Sequence, residues 1–228
     1  MDFLNALILL LNYIFVPALA YGSQLAIGAI FVTLIYGILR FANFATGDMM
    51  SFGTMVAILF TWYFQSLGLS LGFLPTALLA IPFAILFMGL YMLIIDKFVF
   101  KYYRLNKSPP VQLAMVSIGV MFVTQAVVRI IIGPSDRRFF DGEKFLIKAN
   151  EFKEMTGLNE GLAIKSTQVI TIVVTIILVS TLFWFLNKTK TGKSMRAYSD
   201  NEDLALLSGI DPKKIVMITW MIAAILAT

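Results

Sequence analysis

The sequence contains no cysteine and no histidine. Without a thiol or an imidazole there is no thiolate nucleophile, no histidine general base and no zinc site of the usual kind, so enzymatic readings fare badly from the outset. The lack of cysteine is compatible with either side of a membrane and leaves the redox compartment open. Charge is scarce as well. Charged residues make up 14% of the chain and hydrophobic residues 59%, whereas soluble domains carry about 25% and roughly 45–50%. Residues 3–39, 49–95, 108–128, 166–187 and 215–228 contain no Asp, Glu, Lys or Arg at all. Water is therefore not the main solvent of this chain.

Further absences narrow the chemistry. Gly192-Lys193-Ser194 looks like the end of a phosphate-binding loop, but the glycine required five residues before Gly192 is Asn187, and the match fails. Almost no charged group falls inside an expected membrane span. Asp48 lies near a helix start, where the helix dipole accounts for it, and Arg129 lies within a turn of a helix end, from which it can snorkel to the interface. A proton relay thus lacks parts, and an ion-coupled carrier loses support, although backbone carbonyls can serve as sodium ligands.

What is present is a series of oily stretches. A bilayer core about 30 Å thick needs roughly 20 helical residues, and five complete spans are expected at residues 18–39, 45–64, 73–95, 111–132 and 167–186. The fold class is all-α, a polytopic transmembrane helix bundle forming one domain over residues 1–228. The run 49–95 is too long for one helix, and the small-residue stretch 67–72 divides it into a tight hairpin. Residues 1–16 are apolar and are followed by Pro17. They read as a short extra span, as an interfacial helix or as the first half of a kinked long helix. They lack the basic leader and small-residue cleavage site of a signal peptide, so they are expected to stay on the protein. At the other end, Asp211 and Pro212 read as the N-cap and first position of a helix whose apolar run, 215–228, stops after fourteen residues. A further span is expected to begin there and to be cut short; a helix that only dips into the bilayer is the alternative.

Basic residues in short loops set the orientation. Lys97, Lys101, Arg104 and Lys107 face Asp96 alone, and Lys188, Lys190, Lys193, Arg196, Lys213 and Lys214 frame the loop 188–214. Both loops are expected to be cytoplasmic, with Arg40 on the same side. The segment 133–166, with acidic and basic residues in equal number, is expected to be extracytoplasmic. The net charge of +5 then reflects orientation, and no nucleic-acid partner is expected. Small residues favour close approach of helices in lipid. Ala18, Gly22 and Ala26, with Ala29, Thr33 and Gly37, make two such rows, and Gly53 with Ala57 a shorter one. The first of these helices is therefore expected to sit against protein.

The most informative polar stretch is 192–214. Ser199 and Glu202 have the spacing of a capping box, Asp200 and Glu202 suit the positive end of a helix, and Gly209 is placed to close it. The result is a helix of about two turns from Ser199 to Gly209, with Leu204 and Leu207 on one side. So short a helix needs neighbours or a partner to hold it. It is either a docking element for a motor or a surface helix covering its own bundle.

Three stretches, Arg40-Phe41-Ala42-Asn43-Phe44-Ala45-Thr46-Gly47-Asp48, Val111-Gln112-Leu113-Ala114-Met115-Val116-Ser117-Ile118-Gly119 and residues 192–210, resemble the membrane permease subunits of bacterial ABC importers for branched-chain amino acids. The first is similar to that family's Asn-Phe-Ala-His-Gly-Glu/Asp segment, with Thr46 in place of the frequent histidine. The resemblance covers nearly the whole chain, and the family continues past the position of Thr228 with further helices. It implies that Ser199, Asp200, Glu202, Leu204, Leu207 and Gly209 belong to a coupling helix gripped by a cytoplasmic ABC ATPase subunit. It further implies a second permease subunit, a periplasmic amino-acid-binding protein, a location in the bacterial inner membrane, and no cofactor on this chain. Asn43, Thr46 and Gly47, at a helix break, are the candidate substrate-path residues, the alternative being a capped turn. An ion-coupled secondary carrier and a non-transporting assembly subunit are the rival functions.

Overall fold

Uncharged stretches become long helices in the computed structural model, which describes residues 2–69, 74–135, 137 and 145–228. In chain order the helices are α1 (Asp2–Leu10), α2 (Val16–Leu39), α3 (Thr46–Ser66), α4 (Ala77–Ile95), α5 (Lys101–Leu105), α6 (Pro110–Ile132), α7 (Ala149–Thr156), α8 (Ser166–Lys188), α9 (Lys190–Asp200), α10 (Glu202–Leu207) and α11 (Pro212–Ala227). Two short strands, β1 (Phe145–Ile147) and β2 (Ile164–Lys165), pair antiparallel around α7. Phe73, the expected start of the third span, and residues 70–72 of the expected hairpin turn lie outside the described residues, as do 136 and 138–144 of the segment 133–166.

Of the three readings of the N-terminus, the long helix is the one that forms. α1 runs into α2 through a π-helical stretch, Leu11–Phe15, in which the Val16 N–H reaches back five residues to the Leu11 carbonyl. Pro17 follows at once. It has no N–H to give and its ring crowds the carbonyl four residues back, so a widened turn absorbs the conflict without ending the helix. A second π-helical stretch, Asp96–Phe100, carries α4 into α5.

Phe3–Leu39, Ala77–Leu105, Pro110–Ile132 and Ser166–Lys188 are each long and apolar enough to cross a membrane. α3 has 21 residues but carries Thr46, Asp48, Ser51, Thr54, Thr61 and Gln65, which make it the least apolar of the five expected spans. Large apolar side chains point outward from α4 and α8, among them Leu86, Phe87, Ile176, Ile177, Phe183 and Trp184. Only lipid tolerates so much outward apolar surface, and the buried polar groups satisfy themselves as lipid demands. Thr61, Thr124, Thr175 and Thr219 each return a hydroxyl to the carbonyl four residues back. This is a multi-pass membrane protein.

Packing is concentrated where α2, α3, α4 and α11 meet. Met49, Met88, Met92 and Trp220 are fully buried there with Phe31, and Met195 of α9 joins the same core; the unbranched thioethers fill the irregular gaps between helices. Gly53 permits a close approach of α3 to α11, because a Cβ at that position would stand 2.9 Å from the Ala227 carbonyl oxygen. The row at the start of α2 behaves differently from expectation. Ala18, Gly22 and Ala26 are exposed, and no atom lies within 4 Å of where a Gly22 Cβ would be. α2 buries residues only from Phe31 onward, so close packing belongs to its second half, where Gly37 faces Ser199.

Candidate functional site

α2 ends at Arg40, whose backbone is left-handed (φ 56°) and whose N–H bonds to the Tyr36 carbonyl. The connector from Phe41 to Ala45 then returns into the bundle. Phe41 is buried against Phe100, ring centres 5.1 Å apart, and the Phe44 N–H donates to the Ser117 hydroxyl at 3.0 Å. Ser117 lies seven residues into α6, about 10 Å from its first residue at a 1.5 Å rise. Gly53 meets Ala227, about 22 Å along α11, while Gly53 itself is about 10 Å into α3. Both relations put the first turn of α3 roughly 10–12 Å inside the bundle, recessed from the ends of α6 and α11. No sequence pattern announced this recess, because a five-residue connector reads equally well as an ordinary surface turn.

All three predicted path residues lie in that first turn or just before it. Asn43 is buried, its Oδ1 accepting from the Ala45 N–H at 3.1 Å, its amide on the Met49 sulfur at 3.9 Å, and its carbonyl accepting from the Thr46 hydroxyl at 3.1 Å. The asparagine thus folds the chain back on itself, and the cap position that follows, Ala45, has no side-chain acceptor to offer the helix start. Gly47 is exposed, with open space above it. The N–H groups of Gly47 and Asp48 have no acceptor among the described residues. A helix start with free donors and a positive dipole end is a place where an anionic group is stabilised, and the Asp48 carboxylate on the same turn already occupies part of that field.

Ser199 and Asp200 are corrected by the structure. The box Ser199–Glu202 does not form, because α9 continues through Asp200 and the Ser199 hydroxyl donates to the Gly37 carbonyl of α2 at 2.6 Å. Asp200 closes α9 and does not open the next helix. Asn201 is the N-cap of α10, its Oδ1 accepting from the Leu204 N–H at 3.0 Å. Asparagine is at least as good a cap as serine, so the choice fell to the residue whose side chain was free. Glu202 sits in the first turn of α10 and accepts from the Tyr198 hydroxyl at 2.8 Å. Burial, then the hydrogen bond and charge of Glu202, push the Tyr198 hydroxyl up to about 12. The far end is as expected: Gly209 is left-handed (φ +80°), Gly209 N–H bonds to the Leu206 carbonyl and Ile210 N–H to that of Ala205, the paired closure that glycine permits. α10 turns Ala205 inward and leaves Leu204 and Leu207 61% and 85% exposed.

Next to α10 lies a cleft of about 490 Å³ whose lining includes Asp96, Lys101, Arg104, Tyr198, Glu202 and Met217. On its α4–α5 side, Arg104 holds Asp96 through two bonds, 2.6 and 2.9 Å, and the Trp220 indole N–H donates to the same carboxylate at 2.7 Å. Gly192 of the failed phosphate loop serves the packing instead. A Cβ there would collide with the Phe185 carbonyl oxygen and Leu186 backbone, so glycine lets α9 fold back along α8. Among the described residues no group of three acidic side chains is placed to hold a metal ion.

Residues 14–228 match the family model described as the branched-chain amino acid transport system permease component. The chain belongs to this family. Among curated relatives of this permease family, the chain is 26% identical over 210 residues to the high-affinity branched-chain amino acid transport system permease protein LivH of Escherichia coli K12 and to that of Salmonella typhimurium LT2, covering 90% of this chain and 64% of each relative. It is 25% identical over 214 residues to the permease protein BraD of Pseudomonas aeruginosa, covering 93% of this chain and 66% of the relative. The permease-family chain thus spans about two thirds of the length of the curated relatives it matches. No solved structure matches it.

Proposed function

We propose that this chain is a non-catalytic permease subunit of an ABC importer that lines a path for leucine, isoleucine, valine or a similarly small amino acid across the bacterial inner membrane. ATP hydrolysis belongs to a cytoplasmic ATPase subunit, and a second permease and a periplasmic amino-acid-binding protein complete the assembly. The relatives named above are branched-chain amino acid permeases. The single observation that carries the reading is α10: a capped, glycine-closed helix with its three leucines turned outward at the end of the bundle where Lys97, Lys101 and Lys213 cluster. By the positive-inside rule that end is cytoplasmic, which puts loop 188–214 inside and segment 133–166 outside.

Asn43, Thr46 and Gly47 form the substrate-path element of this proposal. The recessed start of α3 offers free N–H groups to a carboxylate partway across the membrane, the arrangement by which broken helices hold anionic groups in lipid. The test is uptake of labelled leucine into proteoliposomes holding this chain with its cognate ATPase, sister permease and binding protein. ATP-dependent uptake is expected, and Gly47→Val, which closes the space above the helix start, should cut it at least fivefold. Uptake by this chain without any ATPase would overturn the reading in favour of an ion-coupled carrier.

A further inference from the structure

Ser199 makes both of the side-chain hydrogen bonds that tie the α9–α10 unit to the end of α2 among the described residues. Its hydroxyl donates to the Gly37 carbonyl at 2.6 Å, and its own carbonyl accepts from Arg40 Nη2 at 2.7 Å. Two bonds of opposite polarity thus fix one residue of the α9–α10 unit to both sides of the last turn of α2. Ser199 stands two residues before Asn201, the cap of α10, and Arg40 stands three residues before Asn43, which folds the connector into α3.

Arg40 carries a second observation. Its left-handed backbone is the conformation that glycine adopts freely at the end of a helix and that other residues enter only at a conformational cost. Arginine there is the less comfortable residue, so its side chain has a use that outweighs the strain. That use is visible: the guanidinium reaches across to Ser199. Beyond Arg40 the chain has little slack, because Phe41 is wedged against Phe100 and the Phe44 N–H is held by Ser117. A shift of α10 that moves Ser199 must drag the end of α2 and, through these few residues, the start of α3.

We infer that Ser199 and Arg40 form a clasp that transmits movement of the docking helix α10 to the recessed start of α3, which makes both of them positioning residues for transport. The inference rests on the importer reading and adds the route by which a motor at one end reaches the path. Arg40→Gly is the informative variant, since it relieves the backbone while deleting the guanidinium; Arg40→Lys keeps the charge and part of the reach.

The experiment uses the complete transporter in proteoliposomes, reading ATPase retention, ATP hydrolysis and labelled leucine uptake on the same preparation. Arg40→Gly is expected to retain the ATPase and hydrolyse ATP at a rate within twofold of the parent, while leucine taken up per ATP falls at least fivefold. Arg40→Lys should recover part of that ratio, and Ser199→Ala should lower it as Arg40→Gly does. A fall of uptake and hydrolysis in equal proportion, or an unchanged ratio in Arg40→Gly, overturns the clasp and leaves the importer reading standing. A parent chain that retains no ATPase overturns the docking reading and takes the clasp with it.

Discussion

Two short helical elements flank the same cleft and are built in opposite ways. The α4–α5 element satisfies itself: Asp96 is held by both terminal guanidinium nitrogens of Arg104 and by the Trp220 indole, and Trp220 stacks on Phe100 at 5.7 Å. The α10 element satisfies only its backbone. Its cap and its glycine closure are complete, yet Leu204, Leu206 and Leu207 face outward. Polar groups that lock inward make a fixed abutment, whereas a well-formed helix that shows its apolar side chains is prepared for something else to cover them. In the proposed importer, the difference separates a part that holds still from a part that the ATPase grips.

The largest test of that contrast is the double substitution Leu204→Asp with Leu207→Asp. Retention of the ATPase in a pull-down should fall more than tenfold, while thermal stability in detergent stays put, since neither leucine is buried. Asp96→Ala should do the reverse. It strands a half-buried Arg104 and the Trp220 N–H, and removing one partner of such a pair costs about 3 kcal/mol, readable as a lower midpoint in a denaturant titration with docking lost only as far as the fold is lost. Gly192→Ala, which has no room for its methyl group, should cost about 1–3 kcal/mol by overpacking α9 on α8.

Smaller effects sharpen the picture further. Asn201→Ala removes the cap of α10 and should weaken docking by about 1 kcal/mol, measured as the shift in ATPase affinity. Tyr198 supplies a pH test. Its raised value in the folded state means that the neutral phenol is favoured there, so this contribution is intact below the ordinary value of 10 and is lost as the pH climbs from 10 through about 12. The phenolate absorbance that distinguishes the parent from Tyr198→Phe should therefore appear late, close to pH 12.

Charge-free runs and breakers carried most of the fold. Five uncharged stretches named the long helices to within a few residues, and Asp211-Pro212 marked the start of α11, where Asp211 Oδ1 accepts from the Lys213 N–H. At α10, Gly209 and the outward leucines were legible for the same reason: local chemistry decides them. The start of that helix was not. Ser199 and Asn201 are both competent caps, and the competition was settled by Gly37, 162 positions away. The recess of α3 was hidden likewise, because Ser117 and Ala227 fix its depth and neither adjoins it in sequence. Ala18, Gly22 and Ala26 misled because small residues say that a close approach is possible without saying what approaches.

The first helix is longer than any slab of hydrocarbon it crosses. Its 37 residues from Phe3 to Leu39 make a rod of about 55 Å, and even the steepest tilts usual for spans, near 40°, would leave it about 42 Å tall against a core of some 30 Å. Asn12 stands level with the start of α8, for its Oδ1 accepts from the Ala163 N–H just before that helix. The ten residues before it add about 15 Å of mostly apolar helix, with Ile8 their one buried side chain among those described. A thicker membrane would take up that surplus with less tilt and a thinner one would demand more, so the surrounding lipid sets how upright this protein stands.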